Sequence, residues 1–131
     1  MGSMKILIVD DDTDITDSLK AILEDQRFSV ATAADRAEGM EKFKTESPDL
    51  VILDVMMATW RDGFEMAREI KSDPESREVP ILMLTGVKDK SGIDFKSTAG
   101  DPTWLPVDGF LDKPVDAEVL IAEVEKLLAR A

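Results

Sequence analysis

Asp54 closes the run Leu50-Val51-Ile52-Leu53, and Asp10 and Asp11 close a second run, Lys5-Ile6-Leu7-Ile8-Val9. A carboxylate at the end of a buried strand is costly unless it reaches solvent, a cation or a reaction partner. Thr85 follows a third aliphatic run, and Lys113 stands in Asp112-Lys113-Pro114 near the carboxyl end of the chain. The chain has no histidine, which removes the commonest general base, the commonest zinc ligand and any conventional catalytic triad. It has no cysteine either, so disulfides and thiolate metal sites are excluded. What is left is oxygen chemistry with carboxylates, hydroxyls, lysines and hard cations. Three carboxylates brought together repel one another strongly where water is scarce. Raised pKa values or a bound cation relieve that repulsion, and at a solvent-facing edge the cation is expected. Mg2+ takes octahedral oxygen ligation and keeps several waters when one or two carboxylates serve it. Acids for a divalent ion, a hydroxyl and a lysine can together surround a phosphoryl group whose charge grows during transfer. The acceptor would then be a carboxylate, forming an acyl phosphate.

These residues need strands to hold them. Leu50–Asp54, introduced by Pro48 and Asp49, reads as a short strand buried on both faces, by its length and flanks. Lys5–Val9 reads as the first strand. Ile15, Leu19, Ile22 and Leu23 recur at helical spacing, which predicts a helix over about 13–26, capped by Asp12 or Thr13. Phe28–Ala33 alternates as a less buried strand does, and Asp35 is a candidate cap for a helix carrying Ala37, Met40 and Phe43, ended by Ser47-Pro48. Phe64, Ala67 and Ile70 place an apolar stripe on a helix after Gly63 that stops near Asp73-Pro74. Val79–Leu84 predicts a fourth strand ending at Thr85-Gly86, and Asp108–Leu111 a short fifth. Asp116 then caps a last helix with Val119, Leu120, Val124, Leu127 and Leu128 on one face. Alternating strands and helices predict an α/β domain, a single doubly wound five-stranded parallel sheet of order 2-1-3-4-5. Ligands in such sheets sit beyond the carboxyl ends of the strands at the switch point between strands one and three, which gathers Asp10, Asp11 and Asp54.

At 131 residues the chain is long enough for one domain with a real core. Met1-Gly2-Ser3 reads as an expression remnant, leaving 4–131 as the domain. Hydrophobic residues make up 44% and charged residues 34%, as in a soluble globular protein, with no signal peptide and no membrane-spanning run. A formal charge of −12 argues against nonspecific binding to nucleic acid or anionic membrane. A cytoplasmic protein is expected.

Asp10-Asp11 after Ile-Leu-Ile-Val, Pro48-Asp49-Leu50-Val51-Ile52-Leu53-Asp54, Leu84-Thr85-Gly86 and Phe110-Leu111-Asp112-Lys113-Pro114 resemble, in order and spacing, the motifs of response-regulator receiver domains. The resemblance covers essentially all of Met4–Ala131 and implies a flavodoxin-like fold. It implies Asp54 as phosphoacceptor and Asp10 and Asp11 as the acid pair holding Mg2+, with the backbone carbonyl of Met56 completing the protein ligands. It implies that Thr85 bonds a phosphoryl oxygen and that Lys113 pairs with the acceptor or its phosphate. Phe110 matches the switch aromatic, and Pro114 is expected to follow a cis bond. The implied partners are a histidine kinase or phosphotransfer protein and an unknown downstream protein, with no nucleic acid bound by this chain. No output segment follows Ala131, so output is expected through protein contact or outside this chain. Met56 and Val87, two residues beyond Asp54 and Thr85, are apolar where receivers flank the path of the hydrolysing water, which implies slow self-dephosphorylation.

Two stretches depart from the family pattern. Met57 is followed by Ala58-Thr59-Trp60-Arg61-Asp62-Gly63, without the usual proline and longer by a residue. Residues 87–107 are longer than usual and carry Gly92, Gly100, Pro102 and Pro106, predicting a short helix within 91–99, an extended loop over 99–107 and an atypical fourth-helix region. Trp60 and Trp104 lie on connections at the carboxyl edge, where one or both are expected over the acid pocket. Other readings are a degenerate receiver acting as a non-phosphorylated interaction module, and a flavodoxin-like cofactor binder, which lacks a phosphate loop here. A calcium loop beginning at Asp10-x-Asp12-x-Asp14 would need glycine at its sixth position and glutamate at its twelfth, where Ile15 and Ala21 stand.

Overall fold

The computed structural model describes residues 4–54, 60–86, 107–113 and 115–130, with the backbone alone at 60–64, 85–86, 112–113 and 130. In chain order the elements are β1 (Lys5–Val9), α1 (Thr13–Asp25), β2 (Ser29–Ala33), α2 (Arg36–Glu46), β3 (Leu50–Asp54), α3 (Trp60–Ser72), β4 (Ile81–Gly86), β5 (Gly109–Lys113) and α4 (Ala117–Arg130). All four strand pairings are parallel and the order is β2-β1-β3-β4-β5, as the sequence predicts.

The continuous aliphatic runs are explained by burial on both faces. Leu7, Val9, Val51, Leu53, Ile81 and Met83 join Met66, Ala67 and Ile70 of α3, with Met40 and Phe43 of α2 packed alongside. The alternate residues Ile6, Ile8, Leu50, Ile52, Leu82 and Leu84 face Leu19 and Leu23 of α1 and Leu120, Val124 and Leu127 of α4. Each such fully buried side chain contributes about 1.5–3 kcal/mol relative to exposure, so β1, β3 and β4 form the rigid centre. The edge strand β2 is less buried. Gly39 lets α2 approach β1 closely, since a Cβ there would lie 3.1 Å from both Val9 methyls and from Met66 Cε.

Both predicted caps of the first two helices form. Asp12 Oδ1 accepts from the N–H groups of Asp14 and Ile15 at 3.0 and 3.4 Å, and Asp35 Oδ1 from Glu38 N–H at 2.8 Å. Asp116 Oδ1 accepts from Glu118 N–H at 2.9 Å at the start of α4. Three details differ from the sequence reading. α3 begins at Trp60 and runs through Gly63, because one helical glycine costs only about 1 kcal/mol, which packing offsets. Val119 is exposed, with Leu120, Val124 and Leu127 forming the buried i, i+4, i+7 stripe of α4. β5 is longer than expected and reaches Lys113.

Candidate acid site at the carboxyl edge of the sheet

Val9 is the register partner of Leu53, so Asp10 and Asp54 follow on neighbouring strands at the same edge. The Asp10 N–H still donates to Ala33 O at 3.0 Å, which holds the backbone to β2 beyond the strand end. Asp10 Oδ1 accepts from the Asp12 N–H at 2.9 Å and so closes the turn into α1. Asp10 is 1% exposed and Asp54 3% exposed, whereas Asp11 is exposed. One carboxylate oxygen from each of the three lies within 4.8 Å of the others. Two buried acids and one exposed acid form a hard, all-oxygen donor set of the type that suits a small divalent cation. It is Asp10, Asp11 and Asp54 that gather, while Asp12 serves as the helix cap, so the calcium-loop pattern has no counterpart here.

The other predicted residues fall as follows. Asp54 is the register partner of Leu84, so Thr85 is the next residue along β4. Thr85 pairs with Asp112 and Gly86 with Lys113, which brings the Thr85 and Lys113 backbones to the same edge as the acids. Phe110 is half-buried against the core on the α2/α3 side. Met56, Pro114, Val87, Trp104 and the segment 87–106 lie outside the described residues, and so does the Trp60 ring.

A polar pair that no sequence motif announces lies at the opposite end of the sheet. Lys71, in the last turn of α3, reaches Asp108 Oδ2 at 2.8 Å, 37 positions further along. A lysine in a last helical turn is a known partner for carbonyls, but nothing in a linear pattern points to Asp108.

No helix among the described residues is long and apolar enough to cross a membrane. A family model for the response regulator receiver domain matches residues 6–125. The chain is similar to the alkaline phosphatase synthesis transcriptional regulatory protein PhoP of Bacillus subtilis, 36% identical over 97% of this chain and 49% of that protein. It spans about half the length of the curated relatives it matches. Among solved structures, a response regulator from Chloroflexus aurantiacus superposes with a TM-score of 0.84 at 28% identity, covering 97% of this chain and 98% of that one. The chemotaxis protein CheY4 of Vibrio cholerae gives 0.82 at 28% identity, covering 96% and 99%. With the motifs in order and the parallel sheet in the same strand order, the chain belongs to the response regulator receiver domains of two-component signalling.

Proposed function

We propose that the chain accepts a phosphoryl group on Asp54 from a histidine kinase or phosphotransfer protein and signals to a partner through the resulting change of conformation. The observation that carries this reading is the gathering of Asp10, Asp11 and Asp54 within 4.8 Å at the carboxyl edge of the sheet. A carboxylate oxygen of Asp54 attacks the phosphorus, an O–P bond forms, and the P–N bond to the donor imidazole breaks with its electron pair returning to the ring. Asp10, Asp11, Asp54 and the Met56 carbonyl would hold Mg2+, which when bound supplies charge neutralisation for the acids and the incoming phosphoryl oxygens. Thr85 donates its hydroxyl to a phosphoryl oxygen, and Lys113 offsets negative charge that the transfer concentrates at Asp54. Burial of Asp54 limits water at the acceptor and strengthens these interactions.

The new dianionic group then biases two arrangements of the edge carrying Thr85 and Phe110, since it interacts differently with each. Phe110 has no hydroxyl, so its two positions differ by packing alone. The test is intact mass after treatment with acetyl phosphate and Mg2+, with a histidine kinase as a second donor. Uptake of one phosphoryl group by the wild type and none by Asp54→Ala is expected. No uptake from either donor would overturn this reading in favour of a non-phosphorylated interaction module.

A further inference from the structure

β5 carries Phe110 and Lys113 at the edge of the sheet, pairs among the described residues with β4 alone, and follows a connection over residues 87–108. Loop-closure entropy changes slowly with length, so a connection this long tolerates a neighbouring register. The side-chain pattern of β5 decides little either, because Phe110 packs on one apolar face of the sheet and Leu111 on the other. A slip of one residue would exchange those faces and move Lys113 by about 3.3 Å.

Something else must set the register, and Asp108 is placed to do so. Its N–H donates to Ile81 O at 2.9 Å, and its Oδ2 accepts from Ile81 N–H at 2.8 Å. The same oxygen receives Lys71 Nζ at 2.8 Å. Lys71 Nζ also donates to Val79 O at 2.8 Å and Arg77 O at 3.1 Å, so all three of its protons are directed. The two side chains are only 18% and 27% exposed, which makes the pair stronger than a surface ion pair. Gly109 favours the same register: a Cβ there would lie 2.9 Å from Glu123 Oε1 and 3.3 Å from Leu82 Cδ1, so a side chain slid into its place would have to displace both.

We propose that Lys71 and Asp108 are positioning residues for phosphoryl transfer. From the end of the sheet opposite the acids, they fix the β4–β5 register that sets Lys113 beside Gly86 and Thr85 beside Asp112. This rests on the roles given above to Thr85 and Lys113. The acid cluster belongs to β1 and β3, so the clasp bears on phosphorylation and leaves divalent-ion affinity alone.

The experiment compares wild type, Asp108→Ala, Asp108→Asn, Lys71→Met and Lys71→Arg. It measures the phosphorylation rate at saturating Mg2+, Mg2+ affinity, and amide exchange along Gly109–Lys113 against Leu50–Asp54. In Asp108→Ala and Lys71→Met the rate is expected to fall on the order of 10–100-fold, with Mg2+ affinity kept and exchange protection lost selectively in β5. Lys71→Arg, which keeps the charge and a donor, is expected to restore most of the rate. Unchanged rates overturn the proposal, and so does a parallel fall of rate and Mg2+ affinity in every variant that folds. Should wild type take no phosphoryl group, the reading of Asp54 fails, and the clasp stands or falls on selective loss of β5 protection.

Discussion

Asp10 and Asp54 leave neighbouring parallel strands side by side, each one residue beyond the paired Val9 and Leu53, and both are almost fully buried. Two like charges about 4 Å apart repel by about 4 kcal/mol at an effective dielectric near 20. Repulsion of that size has to be offset at this edge by positive charge, from a bound cation or a neighbouring lysine. Asp10→Asn keeps the side-chain oxygen that accepts from Asp12 N–H and removes one charge. It is expected to weaken or abolish the rise in stability that Mg2+ is expected to give the wild type. Urea denaturation with and without Mg2+ measures this, and a variant that Mg2+ stabilises as much as the wild type contradicts the argument.

The gathering of the acids is legible in the sequence because burial on both faces leaves little choice of residue. Ile6–Val9 and Leu50–Leu53 must be continuous aliphatic runs, so an aspartate directly after each is conspicuous. The strand order then follows from which runs are most apolar, and the order alone brings Asp10 and Asp54 together. The start of α3 was not legible: Trp60-Arg61-Asp62-Gly63 offers no capping pattern, and glycine reads as punctuation although packing overrides it. Val119 turns outward, against its apolar character, because adjacent residues on a helix diverge by about 100°, and Leu120 continues the stripe with Val124 and Leu127. The Lys71–Asp108 clasp joins residues whose meeting depends on the whole β4–β5 register, which no local period encodes.

Arg27 has φ 71°, a left-handed conformation that an L side chain adopts at a cost of about 1–2 kcal/mol. Its position explains the strain. The Phe28 N–H donates to Leu23 O at 3.1 Å and the Arg27 N–H to Glu24 O at 2.9 Å, which makes Arg27 the C′ residue of a Schellman motif ending α1. Glycine is the residue that this position favours. Arg27→Gly is expected to stabilise by about 0.5–1 kcal/mol, after the added freedom of the unfolded chain is deducted. Thermal unfolding checks this, and a lower midpoint would contradict it.

Glu46 links α2 to β1 through Lys5, whose Nζ lies 2.7 Å from its Oε1. The hydrogen bond and then the charge of Lys5 hold its carboxyl below the ordinary value of 4.5. A depressed carboxyl contributes stability above its unfolded pKa and loses it as pH falls through the folded one. The stability difference between wild type and Glu46→Gln is therefore expected to be constant at neutral pH. It should shrink as pH drops below 4.5, and at any pH it should be smaller in high salt because the pair is exposed. Paired denaturation curves across pH at two ionic strengths test the sign. A difference that grows on acidification would refute it.

On the reading proposed for Asp54, the lifetime of its phosphorylated state is expected to turn on Met56 and Val87, two residues beyond Asp54 and Thr85 in the sequence. Hydrolysis of an acyl phosphate needs a water aligned opposite the bond to be broken, and a side chain that accepts its proton or hydrogen bond lowers that barrier. Valine offers no such atom, and the methionine thioether is only a weak acceptor. The water is therefore left without a side-chain guide from either position, and the label is expected to persist for minutes or longer after the donor is removed. Met56→Glu, which restores a carboxylate at one of the two positions, is expected to shorten that lifetime. Val87→Ile keeps the position apolar and should leave it long. Decay of the phosphorylated mass with time distinguishes these outcomes: loss within seconds in the wild type would mean that some other group orients the water.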